Sequence, residues 1–337
     1  MTTSFDQETF AQSLTGATDE IARAAAFGRD IATRIDRVIF VACGAPNRIM
    51  LGLQYWIEHY SRTLEVRRFF PAEFMAQDTP RLDERTLVIL ASKSGTTQET
   101  VAAAEFLRNK PCITVGVTQT DDLPLASAVQ HAFLMGRTDE AYFGTFIILQ
   151  ALIGGILAAR EEWPLQDKLL ASLAQLPKAL AAAAAQNETR GAIEAGTLKD
   201  DRVLYHLASG PVFTTAYVFG VCILMESQWM HSIPLEAAEF FHGPFEVVDH
   251  QTPMILLLGE DPSRPLMERV VRFCERHAKR FVVYDSRSFD MPGIDPEIRP
   301  IVAPYILSMA IERISAQLAE LNEQPLTTRR YMWKTEY

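Results

Sequence analysis

The chain has 337 residues, 48% hydrophobic and 22% charged, and carries a formal net charge of −10. That length suits two domains of ordinary size. The acidic balance disfavours a nucleic-acid or anionic-membrane partner, because either calls for a basic face, whereas a small anionic ligand needs only a local site.

The first elements alternate. Residues 6–35 are helical in pattern with an alanine-rich middle. Val38 to Ala42 is a short apolar run rich in β-branched residues, hence a buried strand. Cys43-Gly44-Ala45-Pro46-Asn47 turns the chain, and residues 48–60 form an amphipathic helix. Residues 64–70 fit a second strand, and 71–85 a polar loop around a short helix. A strand at 88–91, a helix from Gln98 to Leu107 and a strand at 112–117 follow. Strands with continuous apolar runs, alternating with helices, predict a parallel sheet covered on both faces. Residues 141–159 are almost wholly apolar but hold Gly144, Gly154 and Gly155. A core helix fits them better than a membrane span.

The alternation then restarts. Residues 165–195 are an alanine-rich helical connector. Strands are expected at 203–208, 254–258 and 280–284, and helices at 213–229, 265–277 and 301–321. The expected division is an N-terminal helical segment (1–35), a first domain (36–160), a connector (161–195), a second domain (196–321) and a polar tail (322–337). The halves share one plan, read as a diverged internal duplication. The four cysteines, Cys43, Cys112, Cys222 and Cys274, lie in or beside apolar runs without a C-x-x-C pair. They read as buried free thiols of a reducing, cytoplasmic compartment. The first residues carry no basic or apolar signal pattern.

Two stretches carry chemistry. In the first, an apolar strand ends in Ser92-Lys93-Ser94-Gly95-Thr96-Thr97, directly before a helix. The first amides of a helix lack internal partners and carry partial positive charge, so they suit a phosphate. One helix cap needs one hydroxyl, and four surround this glycine. The spacing matches neither a P-loop nor a dinucleotide motif, which points to a smaller phosphate. The second half offers Gly259-Glu260-Asp261-Pro262-Ser263 instead, whose carboxylates repel a phosphate. One phosphate site per chain is therefore expected. In the second stretch, Glu226 sits late in an apolar helix, and the run Glu239-Phe240-Phe241-His242-Gly243-Pro244-Phe245-Glu246 places His242 sixteen residues on. A carboxylate on a buried helix is costly unless paired or working. A turn histidine titrates near neutrality, and the two together can move protons between adjacent carbons. A helix-end salt bridge for Glu226 and a backbone-bonded turn for His242 are the structural alternatives. Glu236, Glu239, Glu246 and His231 nearby read as mainly structural. No histidine spacing suggests a metal.

Taken together, Phe40-Val41-Ala42-Cys43-Gly44, Ala91 to Thr100, Met225-Glu226 and the Glu239–Pro244 run resemble the sugar isomerase (SIS) family of phosphosugar-binding proteins. The likeness covers nearly the whole chain, as two SIS domains in tandem. It implies two doubly wound α/β domains and a phosphate held by Ser92, Ser94 and Thr97 with the backbone at Lys93. Cys43, Gly44 and Lys334 are further substrate-binding positions by the same resemblance. It also implies a homodimer in which a histidine or the tail of one subunit completes the other's site. In the isomerase half of glucosamine-6-phosphate synthase, a tandem relative, a glutamate matching Glu226 moves the proton between C1 and C2, and a histidine matching His242 opens the ring. This chain has Ile223 where that enzyme has a lysine, and no glutaminase domain. Met225-Glu226-x-Gln228-Trp229-x-His231-Ser232 and the ending Leu326 to Lys334 look like the deglycase branch, enzymes that split 6-phosphorylated Amadori compounds.

The expectation from that branch is a deglycase acting on fructoselysine 6-phosphate, favoured over fructose-aspartate 6-phosphate, without metal or organic cofactor. Glu226 and His242 would supply the acid–base steps. An aminosugar-phosphate isomerase or deaminase, and a non-catalytic phosphosugar sensor, are the rivals.

Overall fold

The computed structural model describes residues 5–336. It divides into two compact units, one of residues 6–178 with 293–298, the other of residues 179–292 with 299–336. The helix Gln166–Leu198 runs from the first into the second and carries Pro177 within it.

The first unit holds β1 (Arg37–Val41), β2 (Glu65–Phe69), β3 (Thr86–Ala91), β4 (Ile113–Thr118) and β5 (His131–Leu134). All neighbours are parallel, in the order β2-β1-β3-β4-β5. β3 is buried at every position, as its unbroken apolar run requires. The chain leaves β1 outward to β2 and then returns to β3 on the other side. Loops following β1 and β3 therefore diverge at their carboxyl ends and leave a crevice, the usual ligand position in such sheets.

The second unit repeats the plan with β6 (Val203–Ala208), β7 (His231–Glu236), β8 (Met254–Leu258) and β9 (Phe281–Asp285), in the order β7-β6-β8-β9. Its crevice lies between the loops after β6 and β8. Two parallel sheets of five and four strands are the tandem doubly wound architecture expected above.

Two strands were not anticipated, and both are edges. β5 is only partly buried and follows a polar loop. β7 contains Pro234 opposite His206 of β6. Proline breaks a strand pattern in sequence, but an edge tolerates it because the missing N–H would face outward.

The helix Ala141–Glu161 is a core element, with 89% of its most apolar window buried. It lies very close to the helix Ile21–Ile31. A side chain on Gly155 would meet the carbonyl oxygen of Ala25 at 2.2 Å, and one on Gly28 that of Leu152 at 2.2 Å. Glycine at both contacts is what lets the backbones touch.

The expected helix at 213–229 is three geometries in series. Gly210–Val212 is 3₁₀, Phe213–Tyr217 is α, and Val218–Gln228 is a π-helix, whose hydrogen bonds span five residues. It ends at Trp229, in the left-handed region at φ 55°, and Met230 N–H returns to the Leu224 carbonyl at 3.3 Å. The stretch is apolar all round, so no polar stripe in the sequence marks its period. Gly220 lies hard against β6 and β7, where an added side chain would meet Ser232 Oγ at 2.3 Å. Below it, His206 is fully buried and packs edge-on to Phe219, ring centroids 5.3 Å apart. Burial drives its imidazole down to about 3.

Candidate active site

The hydroxyl turn after β3 sits in the crevice of the first sheet. Ser92 is held by its N–H on the Val117 carbonyl of β4 at 3.1 Å. Its buried hydroxyl lies 2.8 Å from Thr97 Oγ1 and 3.5 Å from Ser94 Oγ, and accepts from Gly95 N–H at 3.1 Å. Ser94 Oγ accepts from Thr96 N–H and Thr96 Oγ1 at 3.2 and 3.0 Å. Gly95 has φ 61°, and a side chain there would strike Leu123 at 2.6 Å and Thr118 at 2.7 Å. Thr97 is the N-cap residue of the helix Gln98–Leu107 but makes no capping bond with its hydroxyl. A hydroxyl used merely as a cap would bond an amide of the first turn. This one joins the hydroxyl cluster and leaves those amides for a ligand. The Lys93 ammonium is drawn to Asp139 at 2.9 Å, an exposed pair worth little, so it is the backbone of Lys93 that borders the turn.

Across the crevice, Cys43 precedes the helix Gly44–Tyr60. Burial pushes its thiol up, the nearby Glu99 charge adds to that, and the neighbouring Thr100 hydroxyl works the other way. A raised thiol is a poor nucleophile. Gly44 adopts φ 57° with open space where a side chain would be. Beside it Arg68 of β2 bonds Asn47, with Arg48 near enough to repel it. Burial and then that like charge hold the Arg68 guanidinium below its ordinary range. Arg37, Arg160, Arg264, Arg280, Arg299 and Arg313 each hold a carboxylate. Arg68 holds none among the described residues. The sequence reading did not place this cationic edge.

In the second unit, the π-helix delivers Glu226 to a cleft of about 580 Å³. Its walls are Met225, Trp229, Met230, Tyr331 and Met332, and its charged rim is Glu226, His231, Arg329 and Arg330. Burial raises the Glu226 carboxyl, and Arg329, with Nη2 3.2 Å away, partly offsets this. A carboxyl raised in this way holds a proton more readily than a free one, which suits an acid–base role. The tail reaches this cleft because it is tied to the end of the π-helix. Gln228 donates to the Gln324 carbonyl at 2.7 Å and accepts from Asn322 at 3.2 Å, and Gln324 donates to the Ser227 carbonyl. Arg330 stacks on the Trp229 ring at 4.1 Å. Lys334 turns back on its own segment, its ammonium 2.6 Å from the Arg329 carbonyl.

His242 lies on an exposed turn before Gly243, which has φ 138°. It does not line the Glu226 cleft, and its imidazole has no partner among the described residues. Glu239 and Glu246 are also exposed. Glu236 differs. It closes β7 at the second sheet's crevice, where burial and then the Asp261 charge raise its carboxyl to about 7. Opposite it, Asp261 accepts from Ser263 N–H at 2.9 Å, and Glu260 is held by Arg299 at 2.9 Å. That crevice is acidic. Another cleft, about 640 Å³ and lined by Arg34, Glu84, Arg85 and Lys110, opens at the amino ends of the first sheet's strands. Arg85 and Lys110 there are paired with Asp36 and Asp78, which leaves little for chemistry. Among the described residues, no three His, Cys, Asp or Glu side chains are grouped to hold a metal ion.

The SIS domain profile matches residues 33–158. The fructosamine deglycase FrlB of Bacillus subtilis is 36% identical over 90% of this chain and 93% of its own length. The chain belongs to the SIS family. The agropine synthesis conjugase of Rhizobium rhizogenes is 37% identical over 88% of this chain and 85% of its own length. A Bacillus subtilis crystal structure described as a phosphosugar isomerase superposes with a TM-score of 0.89 at 35% identity, covering 95% of this chain and 99% of that one.

Proposed function

We propose that the chain is a phosphosugar deglycase that cleaves a 6-phosphorylated Amadori compound to glucose 6-phosphate and a free amino acid, with fructoselysine 6-phosphate among its substrates. The observation that carries the reading is Glu226, a carboxyl raised by burial in a cleft, in a chain 36% identical to a fructosamine deglycase. The sugar's phosphate is taken by Ser92, Ser94 and Thr97, by the Lys93 backbone and by the free amides of the helix Gln98–Leu107.

The chemistry balances without an oxidant or reductant. His242 assists ring opening. Glu226 and His242 remove a proton from C1, which bears the nitrogen, to give an enaminol, and a proton delivered to C2 leaves an imine at C1. Water adds to that imine, and the C1–N bond breaks with the proton going to nitrogen. Each general acid–base step contributes about 10²–10⁴-fold. Glu226→Gln should therefore abolish most turnover while phosphosugar binding persists. Unchanged kcat would refute the assignment. Because His242 is exposed and absent from the Glu226 cleft, the same reading makes the enzyme a cytoplasmic homodimer whose second copy completes the site. Sedimentation of a monomer with full activity would contradict that.

The 37% identity to a conjugase favours one second reading, the same site run toward C–N bond formation. Incubation with a panel of phosphorylated adducts, assayed for glucose 6-phosphate and free amino acid, separates the directions. Accumulated adduct from glucose 6-phosphate and amino acid would select the conjugase. Release of ammonia would select a deaminase, and tight binding with no product a sensor.

A further inference from the structure

We propose that Arg329 receives the carboxylate of the substrate's amino acid and, by changing partner, releases Glu226 to act as the base. The inference rests on the deglycase reading and ranks adducts carried on an α-nitrogen above ε-linked fructoselysine 6-phosphate among its substrates.

The guanidinium of Arg329 has three edges, and the structure commits them unequally. Nη1 donates to the Leu326 and Thr328 carbonyls at 2.8 Å each. Nη2 stands 3.2 Å from Glu226 Oε2 as an ion pair without hydrogen-bond alignment. Nε is buried and has no partner among the described residues. The guanidinium face stands over the Trp333 ring at 5.5 Å, and the Nε–Nη2 edge meets only an off-axis charge, though the side chain is just 16% exposed. A donor left so is expensive, and that edge is one of the forks that match a carboxylate with two parallel bonds. A better-aligned carboxylate would displace Glu226 from it.

The surroundings agree. The cleft beside this edge has apolar walls, Met225, Trp229, Met230, Tyr331 and Met332, so a carboxylate entering it has little else to bond. The other cations are engaged, Arg330 on the Trp229 ring and Lys334 on the Arg329 carbonyl. His231 is the remaining titratable group on the rim. Once Arg329 is shared with a substrate carboxylate, Glu226 keeps its burial but loses much of the charge that opposed it. Its proton affinity then rises, which makes it the stronger base when a proper substrate is present.

Reach selects the linkage. Glu226 must work at C1 and C2 while its former partner holds the carboxylate. In an α-linked adduct the carboxyl carbon is three bonds from C1, within about 4 Å, whereas an ε-linked lysine puts it seven bonds and roughly 9 Å away. The first keeps both groups close without folding, whereas the second must bend back on itself to bring its carboxylate to Arg329.

The test compares glucose 6-phosphate release from 6-phosphofructosyl adducts of glycine and of methylamine, and from the α- and ε-linked lysine isomers. In the native protein the carboxylate-bearing and α-linked members should lead in kcat/KM by about 10- to 150-fold, the range of a charge-assisted pair. In Arg329→Gln the glycine-to-methylamine ratio should fall to within about threefold of one. A tail merely loosened by the substitution would slow both adducts alike and keep their ratio. A native protein that turns over glycine and methylamine adducts equally overturns the inference alone, even if the variant does not fold. So does an Arg329→Gln variant with the native ratio. Release from no adduct at all overturns it together with the reading beneath it.

Discussion

His206 offers a prediction whose size follows from the fold. It is fully buried under the π-helix with its imidazole lowered to about 3, whereas an unfolded histidine titrates near 6.5. Below the unfolded value the open chain binds a proton that the folded chain refuses, so stability must fall as the medium is acidified. The histidine's contribution is complete above pH 6.5 and is lost progressively down toward 3. Between pH 7 and pH 5 the loss from this one group integrates to about 2 kcal/mol. His206→Leu fills a similar volume and binds no proton, so it should remove that portion of the acid sensitivity. Glu236, raised to about 7, has the opposite sign, because its folded value exceeds the unfolded one and its protonation favours the fold. It is present in both proteins and cancels in the comparison. The assay is urea unfolding followed by tryptophan fluorescence at the two pH values. If the native chain and His206→Leu lose the same stability from pH 7 to pH 5, the argument from burial fails.

Other outcomes are checked more quickly. Ser94→Ala removes one hydroxyl from the cradle; with a charge-assisted bond worth about 1.5–3 kcal/mol, KM should rise tenfold or more while kcat holds. A normal KM would speak against the cradle. Gly155→Val forces a side chain into the Ala25 carbonyl, 2.2 Å from where its Cβ would stand. Overpacking of this kind costs about 1–3 kcal/mol, and the midpoint in urea should drop accordingly. An unchanged midpoint would mean the two helices part freely.

What the sequence made legible was whatever a periodic pattern or an unbroken apolar run encodes. The strands from Val38, Val88 and Met254 were readable because each is covered on both faces and so is apolar throughout, and the strand from Val203 breaks its apolar run at His206. The hydroxyl turn stood out because Ser92, Ser94, Thr96 and Thr97 exceed what a cap requires. Of the edge strands β2 and β9 were readable, whereas β5 and β7 were not, since they are half exposed and Pro234 imitates a break. The π-helix was invisible because its all-apolar surface carries no phase. Arg329 escaped as a partner of Glu226 because their meeting depends on Gln228, Asn322 and Gln324 tying the tail to the helix end, and nothing in residues 322–336 alone gives that direction.

The wide helical stretch Val218–Gln228 has a consequence for inheritance as well as for shape. It takes up more residues over its span than a tightly wound segment would need. Loss of a single codon upstream of Glu226 would let the segment rewind as an ordinary α-helix, with its apolar surface still buried. The carboxylate would swing by roughly 100° about the axis, the angular step of one residue. Such an allele would keep both sheets while turning the carboxylate away from its cleft.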